Sequence, residues 1–190
     1  LVNVNAFAVY TNGILNPVSS ISIEGGQIVL NLANSFSSGT ITVGYTASSS
    51  GGITDIAGNI ASSFTFGTVA DGYLSGAAVY IDQNGNGIVN VGTDYYVGQT
   101  DSHGNFFLPA DAPIGALMAI GGVNVDTQLP NTMTLLAPVG SNVINPLTTI
   151  VQNVIYAQSL TPDYNTTLSI SAQVAQALGI SIPAGQTFAS

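Results

Sequence analysis

The chain has 190 residues, 46% of them hydrophobic and 5% charged, with no Lys, Arg or Cys, nine acidic groups, one His and a net charge of −9. That length and apolar content supply a core for one large domain or two small ones. With no basic side chain to neutralise phosphate, the composition excludes electrostatic binding to nucleic acid or to an anionic membrane, and a cation is the natural complement.

The first third reads as strands. Alternation runs through Phe7-Ala8-Val9-Tyr10, Ile21-Ser22-Ile23-Glu24, Gln27-Ile28-Val29-Leu30-Asn31-Leu32 and Thr40-Ile41-Thr42-Val43-Gly44-Tyr45-Thr46. Asn12-Gly13 and Gly25-Gly26 are pairs suited to positive φ, and Gly25-Gly26 sits between matched runs, where a tight hairpin is expected. A Gly/Ser-rich stretch from Ser48 to Gly52 leads to Asp55-Ile56-Ala57-Gly58-Asn59 and a last strand at Ser63-Phe64-Thr65-Phe66. Short strands at this spacing predict a β-sandwich over residues 1–68, with a boundary near Gly67 to Asp71.

A second β-module is expected over 69–140. Ser75-Gly76-Ala77-Ala78-Val79-Tyr80-Ile81 runs directly into an acidic loop, and further strands are read at Tyr95-Tyr96-Val97, Asn105-Phe106-Phe107-Leu108, Ala116-Leu117-Met118-Ala119-Ile120 and Met133-Thr134-Leu135-Leu136-Ala137. Over 141–190 the period becomes helical. Asn145-Pro146 offers a cap followed by a first-turn Pro, and Leu147, Ile150, Val151, Val154 and Ile155 form one apolar stripe. A second short helix is expected from about Ser171, with Val174, Ala175 and Leu178 inward and Gly179 as its stop. The expected fold is mainly β: two tandem β-sandwich modules followed by a short C-terminal helical segment.

Six of the nine carboxylates, Asp71, Asp82, Asp94, Asp101, Asp111 and Asp126, lie between residues 71 and 126. The densest oxygen pattern starts at Asp82 and continues through Asn84, Asn86, Gly87, Ile88 and Asn90 to Thr93-Asp94. An EF-hand-type loop places oxygens at its first, third and fifth positions, Gly at the sixth and a backbone carbonyl at the seventh. Here these are Asp82, Asn84, Asn86, Gly87 and Ile88. The twelfth position holds Thr93 where a bidentate Glu is expected, so the closing ligand falls to Asp94, one place later, or to Asp101 from the next turn. The bound ion would be Ca²⁺, with an affinity of roughly 10⁻⁴–10⁻³ M as in extracellular modules. Asp101-Ser102-His103-Gly104-Asn105 reads first as a plain hairpin turn, with a metal role for Asp101 second.

Most catalytic constellations are missing from the inventory, and paired carboxylates brought together by the fold are the one that stays open. There is no Cys or Lys nucleophile, a Ser-His-Asp triad would have to use His103, and neither a Gly-x-Ser-x-Gly elbow nor a phosphate or dinucleotide loop is present. A non-enzymatic protein is expected. An alternative use of the second module is calcium-dependent binding of a glycan or other small ligand, with Tyr73, Tyr80, Tyr95 and Tyr96 as a stacking platform.

No apolar run is long enough to span a membrane, and no basic-then-apolar signal segment opens the chain. Leu1-Val2-Asn3-Val4-Asn5 reads like the middle of a strand, so the chain is expected to be a piece of a longer protein. A surface kept soluble by Ser, Thr, Asn and Gln fits an extracellular or cell-surface location.

The stretch Asn12-Gly13, Ile23-Glu24-Gly25-Gly26-Gln27-Ile28-Val29-Leu30, Ile41-Thr42-Val43-Gly44-Tyr45-Thr46 and Asp55-Ile56-Ala57-Gly58-Asn59 resembles the Ig-like repeat of giant cyanobacterial and marine bacterial surface proteins, over about residues 5–68. The next part is similar to the calcium-binding B-type repeat of bacterial surface adhesins. It matches through Asp71-Gly72-Tyr73-Leu74-Ser75-Gly76-Ala77, the Asp82 loop and Thr100-Asp101-Ser102-His103-Gly104-Asn105-Phe106, and continues into Pro146-Leu147-Thr148-Thr149-Ile150-Val151 and a helical tail. The resemblance implies a structural or adhesive role, with calcium stiffening tandem modules. It implies neighbouring modules or copies of the same protein as partners, and a cell-surface glycan under the alternative reading.

Overall fold

A computed structural model describes residues 2–11, 14–36, 41–48 and 50–189. The expected turn at Asn12-Gly13, the first residue of the strand read from Thr40, and Ser49 lie outside the described residues. The fold is mainly β, with several antiparallel sheets and a C-terminal helix pair. The chain divides into two compact units, one of residues 1–66 with 108–111 and one of residues 67–107 with 112–190.

In the first unit a short 3-10 turn, Val4–Ala6, leads into β1 (Phe7–Thr11), β2 (Ile14–Leu15), β3 (Val18–Glu24), β4 (Gln27–Leu32), β5 (Ile41–Tyr45) and the start of β6 (Phe64–Val69). β1 lies between β2 and β5, and β5 pairs with β6 through Gly44 opposite Thr65 and Tyr45 opposite Phe64, all antiparallel. β3 and β4 form the hairpin expected at Gly25-Gly26, where φ values of 58° and 82° at the two glycines match the twist of the paired strands. The core centres on Val9 and Tyr45, both 2% exposed. Tyr45 packs between Phe7 and Phe64 at centroid distances of 5.3 and 5.2 Å, and its hydroxyl accepts the Ile53 N–H at 2.8 Å, tying the following loop to the sheet.

The second unit contains the end of β6, β7 (Leu74–Ser75), β8 (Ala78–Asp82), β9 (Tyr95–Gln99), the start of β10 (Asn105–Pro109), β11 (Ala116–Ile120), β12 (Val123–Asn124), β13 (Leu135–Ala137) and β14 (Val143–Ile144). The helices α1 (Pro146–Ala157) and α2 (Tyr164–Leu178) follow. Four strands form an antiparallel sheet in the order β13-β11-β8-β9. Residues 116–119 of β11 and all of β13 are buried irrespective of alternation, which is why both read as continuous apolar runs. α1 packs on β13 and on α2, joining Val151, Ile155, Ile170 and Val174 in one cluster.

The N-terminus of α1 carries a full capping box. The Asn145 side chain accepts the Thr148 N–H while the Thr148 hydroxyl accepts the Asn145 N–H, both at 2.8 Å, and Pro146 occupies the first turn. The buried face departs from the expected stripe: Ile150 is 41% exposed, whereas Thr148, Thr149 and Gln152 are buried. The reason lies in β13, an edge strand whose backbone needs partners. Thr148 donates to the Leu136 carbonyl at 2.7 Å, and Thr149 accepts the Leu136 N–H at 2.9 Å.

α2 begins at Tyr164, about two turns before the expected start at Ser171. Asp163 caps it by accepting the Thr166 N–H at 2.7 Å, and Ile170 in this early part reaches the cluster with α1. Gly179 ends it as expected with φ 68°, while Leu178 remains 50% exposed. The Thr166 N–H holds the Asp163 carboxyl below its ordinary value, so this cap contributes stability above the usual carboxylate range and loses it as pH falls through the lowered value. Asp163→Ala is therefore expected to destabilise the chain at neutral pH in urea titrations, with the difference from the native chain disappearing in acid.

Candidate metal centre

β8 delivers Asp82 at its C-terminal end, and the chain returns through residues 83–94 to β9. Asp82 and Asp94 are 4% and 7% exposed. Asp82 Oδ1 accepts the N–H groups of Asn84 at 3.2 Å and Gly85 at 2.7 Å, and Oδ2 accepts the Gly87 N–H at 2.8 Å and the Tyr156 hydroxyl at 2.5 Å. Asp94 takes the Gln83 N–H on Oδ1 at 3.0 Å and the Asn90 N–H on Oδ2 at 2.6 Å. The two carboxylates thus cap the N–H groups of the consecutive residues Gln83 and Asn84.

The amide side chains fill the middle. Asn84 and Asn86 each donate from Nδ2 to Asn90 Oδ1, at 2.9 and 2.8 Å, while their own oxygens accept the N–H groups two residues ahead, Asn86 and Ile88. The alternate spacing gathers these side chains because the backbone turns twice through positive φ, 70° at Gly85 and 68° at Gly87. Space is also tight at Gly87, where a Cβ would stand 3.0 Å from the Tyr156 ring and push on it.

Tyr156 comes from α1, 74 residues along the chain, and anchors the loop to the helix. Burial raises its pKa, and the hydrogen bond and charge of Asp82 raise it further, so it stays a neutral donor. At Asp82 burial works against the charge, but the Tyr156 hydroxyl and the N–H groups of Gly87, Gly85 and Asn84 outweigh it and hold the carboxyl below its ordinary value. One helical turn before Tyr156, Gln152 is fully buried; its side chain lies near enough to the Tyr156 hydroxyl to oppose the rise in that group's pKa, yet neither amide atom makes a hydrogen bond of ordinary geometry.

The other sequence candidates are placed as follows. Asn84, Asn86 and Ile88 lie in the loop with Asp82 and Asp94. Asp101 does not. In the β8–β9 pair, Ile81 faces Tyr95 and Ala78 faces Gln99, so Asp101 sits beyond the opposite end, roughly 13 Å or more from Asp82 at the rise of a strand. Its carboxylate closes a turn, taking the His103 and Asn105 N–H groups at 2.8 and 2.9 Å and Asn105 Nδ2 at 3.3 Å. Asp55 makes the same three contacts with Ala57, Asn59 and Asn59 Nδ2, at 2.9, 2.9 and 2.8 Å. Asp-x-x-Gly-Asn is therefore one turn used twice, with Gly58 and Gly104 both at positive φ. Of the tyrosines, Tyr80 and Tyr96 pack against each other across β8 and β9, centroids 5.1 Å apart and ring planes tilted by 56°. His103 is exposed in the Asp101 turn.

The donor set suits a hard cation. It consists of two carboxylates, side-chain amides and backbone, all offering oxygen, and the buried amide of Gln152 beside Tyr156 holds a further unused oxygen. Among the described residues no three His, Cys, Asp or Glu side chains form a group. Calcium sites with few carboxylates are completed by neutral oxygens. No protein-family model, curated protein or solved structure matches this chain. No helix among the described residues is long and apolar enough to cross a membrane.

Tyr156 and Asn90 are the site residues that the spacing from Asp82 left without a role. Asn90 stands at the ninth loop position, where a ligand is common, so a signal for it existed. Tyr156→Phe removes one charge-assisted hydrogen bond and leaves the ring in place against Gly87. A loss of about 1.5–3 kcal/mol is expected from urea titrations at unchanged m-value.

Proposed function

We propose that this chain is a non-catalytic structural or adhesive part of a large secreted or cell-surface bacterial protein, and that calcium bound at the Asp82–Asp94 loop stiffens it. The observation that carries this reading is a pair of nearly buried carboxylates in one loop of a chain with no Lys or Arg. Buried charge is ordinarily paired with opposite charge or coordinated to metal, and here N–H and hydroxyl dipoles are the partners the chain itself supplies. Asp82, Asn84, Asn86 and Asp94 would hold the ion with the Ile88 carbonyl. A bound Ca²⁺ supplies the missing positive charge and ties together segments that otherwise meet only through hydrogen bonds.

In this reading the first unit is an Ig-like sandwich and the second a B-type sandwich with a helical extension, arranged in tandem with further modules. Neighbouring modules or copies of the same protein are its partners, outside the cell. The β8–β9 loop then controls stiffness, because Tyr156 makes the order of the loop and the docking of α1 one event.

An ion that binds only the folded chain stabilises it by mass action. With calcium at ten to a hundred times a dissociation constant of this class, the gain is about 1.4–2.7 kcal/mol, a rise of several degrees in melting temperature. Melting in calcium held at roughly ten times that dissociation constant or more, against chelator, is expected to show this rise in the native chain and in Asp101→Ala, and to lose it in Asp82→Ala. No shift in the native chain would sink the proposal.

A further inference from the structure

The loop contains two consecutive Asn-Gly pairs, Asn84-Gly85 and Asn86-Gly87, with both Asn side chains exposed. Asn-Gly is the sequence at which an asparagine amide is most easily lost, because a glycine N–H is unhindered. The backbone nitrogen of the glycine gives up its proton and attacks Cγ of the preceding Asn. The new N–C bond closes a five-membered succinimide as the C–NH₂ bond breaks, and the amide nitrogen leaves as ammonia. Water then opens the ring at one carbonyl or the other, giving aspartate or isoaspartate. No oxidant or cofactor enters, and water is the only co-reactant.

In this fold both nucleophiles are held by one side chain. Gly85 N–H donates to Asp82 Oδ1 at 2.7 Å and Gly87 N–H to Oδ2 of the same carboxylate at 2.8 Å. A negative charge against each N–H opposes its loss of a proton, and the bond fixes the direction of the nitrogen. The electrophiles are held as well, since both Asn amides donate to Asn90 Oδ1 and both amide oxygens accept an N–H beyond the glycine.

We propose that Asn84 and Asn86 form a latent deamidation site, closed while Asp82 caps the Gly85 and Gly87 N–H groups and opened when the loop comes away from Asp82. Conversion adds carboxylate to a loop that already buries two, in a chain without a basic side chain. Isoaspartate also lengthens the backbone by one atom and breaks the alternation that gathers the amides on Asn90. Opening followed by conversion is therefore irreversible, and the loop records its own unfolding. This inference rests on the hydrogen bonds alone and holds whether or not a cation binds.

The test is conversion at mildly alkaline pH without metal, in the native chain, the native chain unfolded in urea, Asp82→Asn and Tyr156→Phe. Digestion with chymotrypsin serves because the chain gives trypsin no site, and mass spectrometry of the fragment between Tyr80 and Tyr95 counts the conversions. The folded native chain is expected to convert at least about tenfold more slowly than the unfolded one, as reaction must await local opening. Asp82→Asn, with its fold checked by circular dichroism, should approach the unfolded rate at one or both positions, because an amide offers one acceptor oxygen where the carboxylate offers two. Tyr156→Phe keeps the carboxylate but removes the bond that ties it to α1, so it should convert faster than the native chain and more slowly than a folded Asp82→Asn. Equal rates in the folded and unfolded native chain, or a folded Asp82→Asn as slow as the native chain, would overturn the proposal. If Asp82→Asn does not fold, amide hydrogen exchange at Gly85 and Gly87 of the native chain decides: protection supports the cap, and exchange at the free-peptide rate refutes it.

Discussion

A carboxylate that leaves water must find compensating positive charge or hydrogen-bond donors, and this chain has no lysine or arginine to offer. Asp82 meets that demand with four donors, three from its own loop and one from α1. The loop's geometry follows from this. The N–H groups of Asn84, Gly85 and Gly87 reach one carboxylate only if the backbone coils tightly, which needs the two positive-φ glycines and brings the intervening Asn side chains onto Asn90. Because the fourth donor is Tyr156, the same charge fastens the helical end of the chain to the end of β8.

The device recurs in milder form. Asp55 and Asp101 each close an Asp-x-x-Gly-Asn turn by taking two backbone N–H groups and one Asn amide, and both sit below the ordinary carboxylate value because of those bonds. Asp163 caps α2 in the same way. Where most proteins pair acids with bases, Asp55, Asp82, Asp94, Asp101 and Asp163 are paired here with backbone N–H groups. The difference at the Asp82 loop is burial combined with a second carboxylate, and these make it the place where a cation would relieve most charge.

The strands, the hairpin at Gly25-Gly26, the capped start of α1 and the members of the Asp82 loop were legible because each is written in consecutive residues or short periods. Three features were not. Thr148 and Thr149 look polar and outward, yet they are buried because β13 is an edge whose Leu136 backbone they satisfy, and edge status is a property of the sheet. Tyr156 looks like one more helix residue, and only the packing of α1 on β13 brings its hydroxyl to Asp82. Asp101 follows the loop closely in sequence, but the register of β8 and β9 carries it to the far end of the pair. Long-range pairing decided all three.

The central claim is that the Asp82–Asp94 loop is the chain's cation site and that its order is shared with α1. Titration of the ¹⁵N-labelled chain with calcium, followed by amide chemical shifts, tests it most directly. The account predicts saturable shifts concentrated at residues 83–94, with smaller ones at Gln152 and Tyr156, and little change in the Asp55 and Asp101 turns. Shifts centred on Asp101 or Asp126, or none at millimolar calcium, would contradict it.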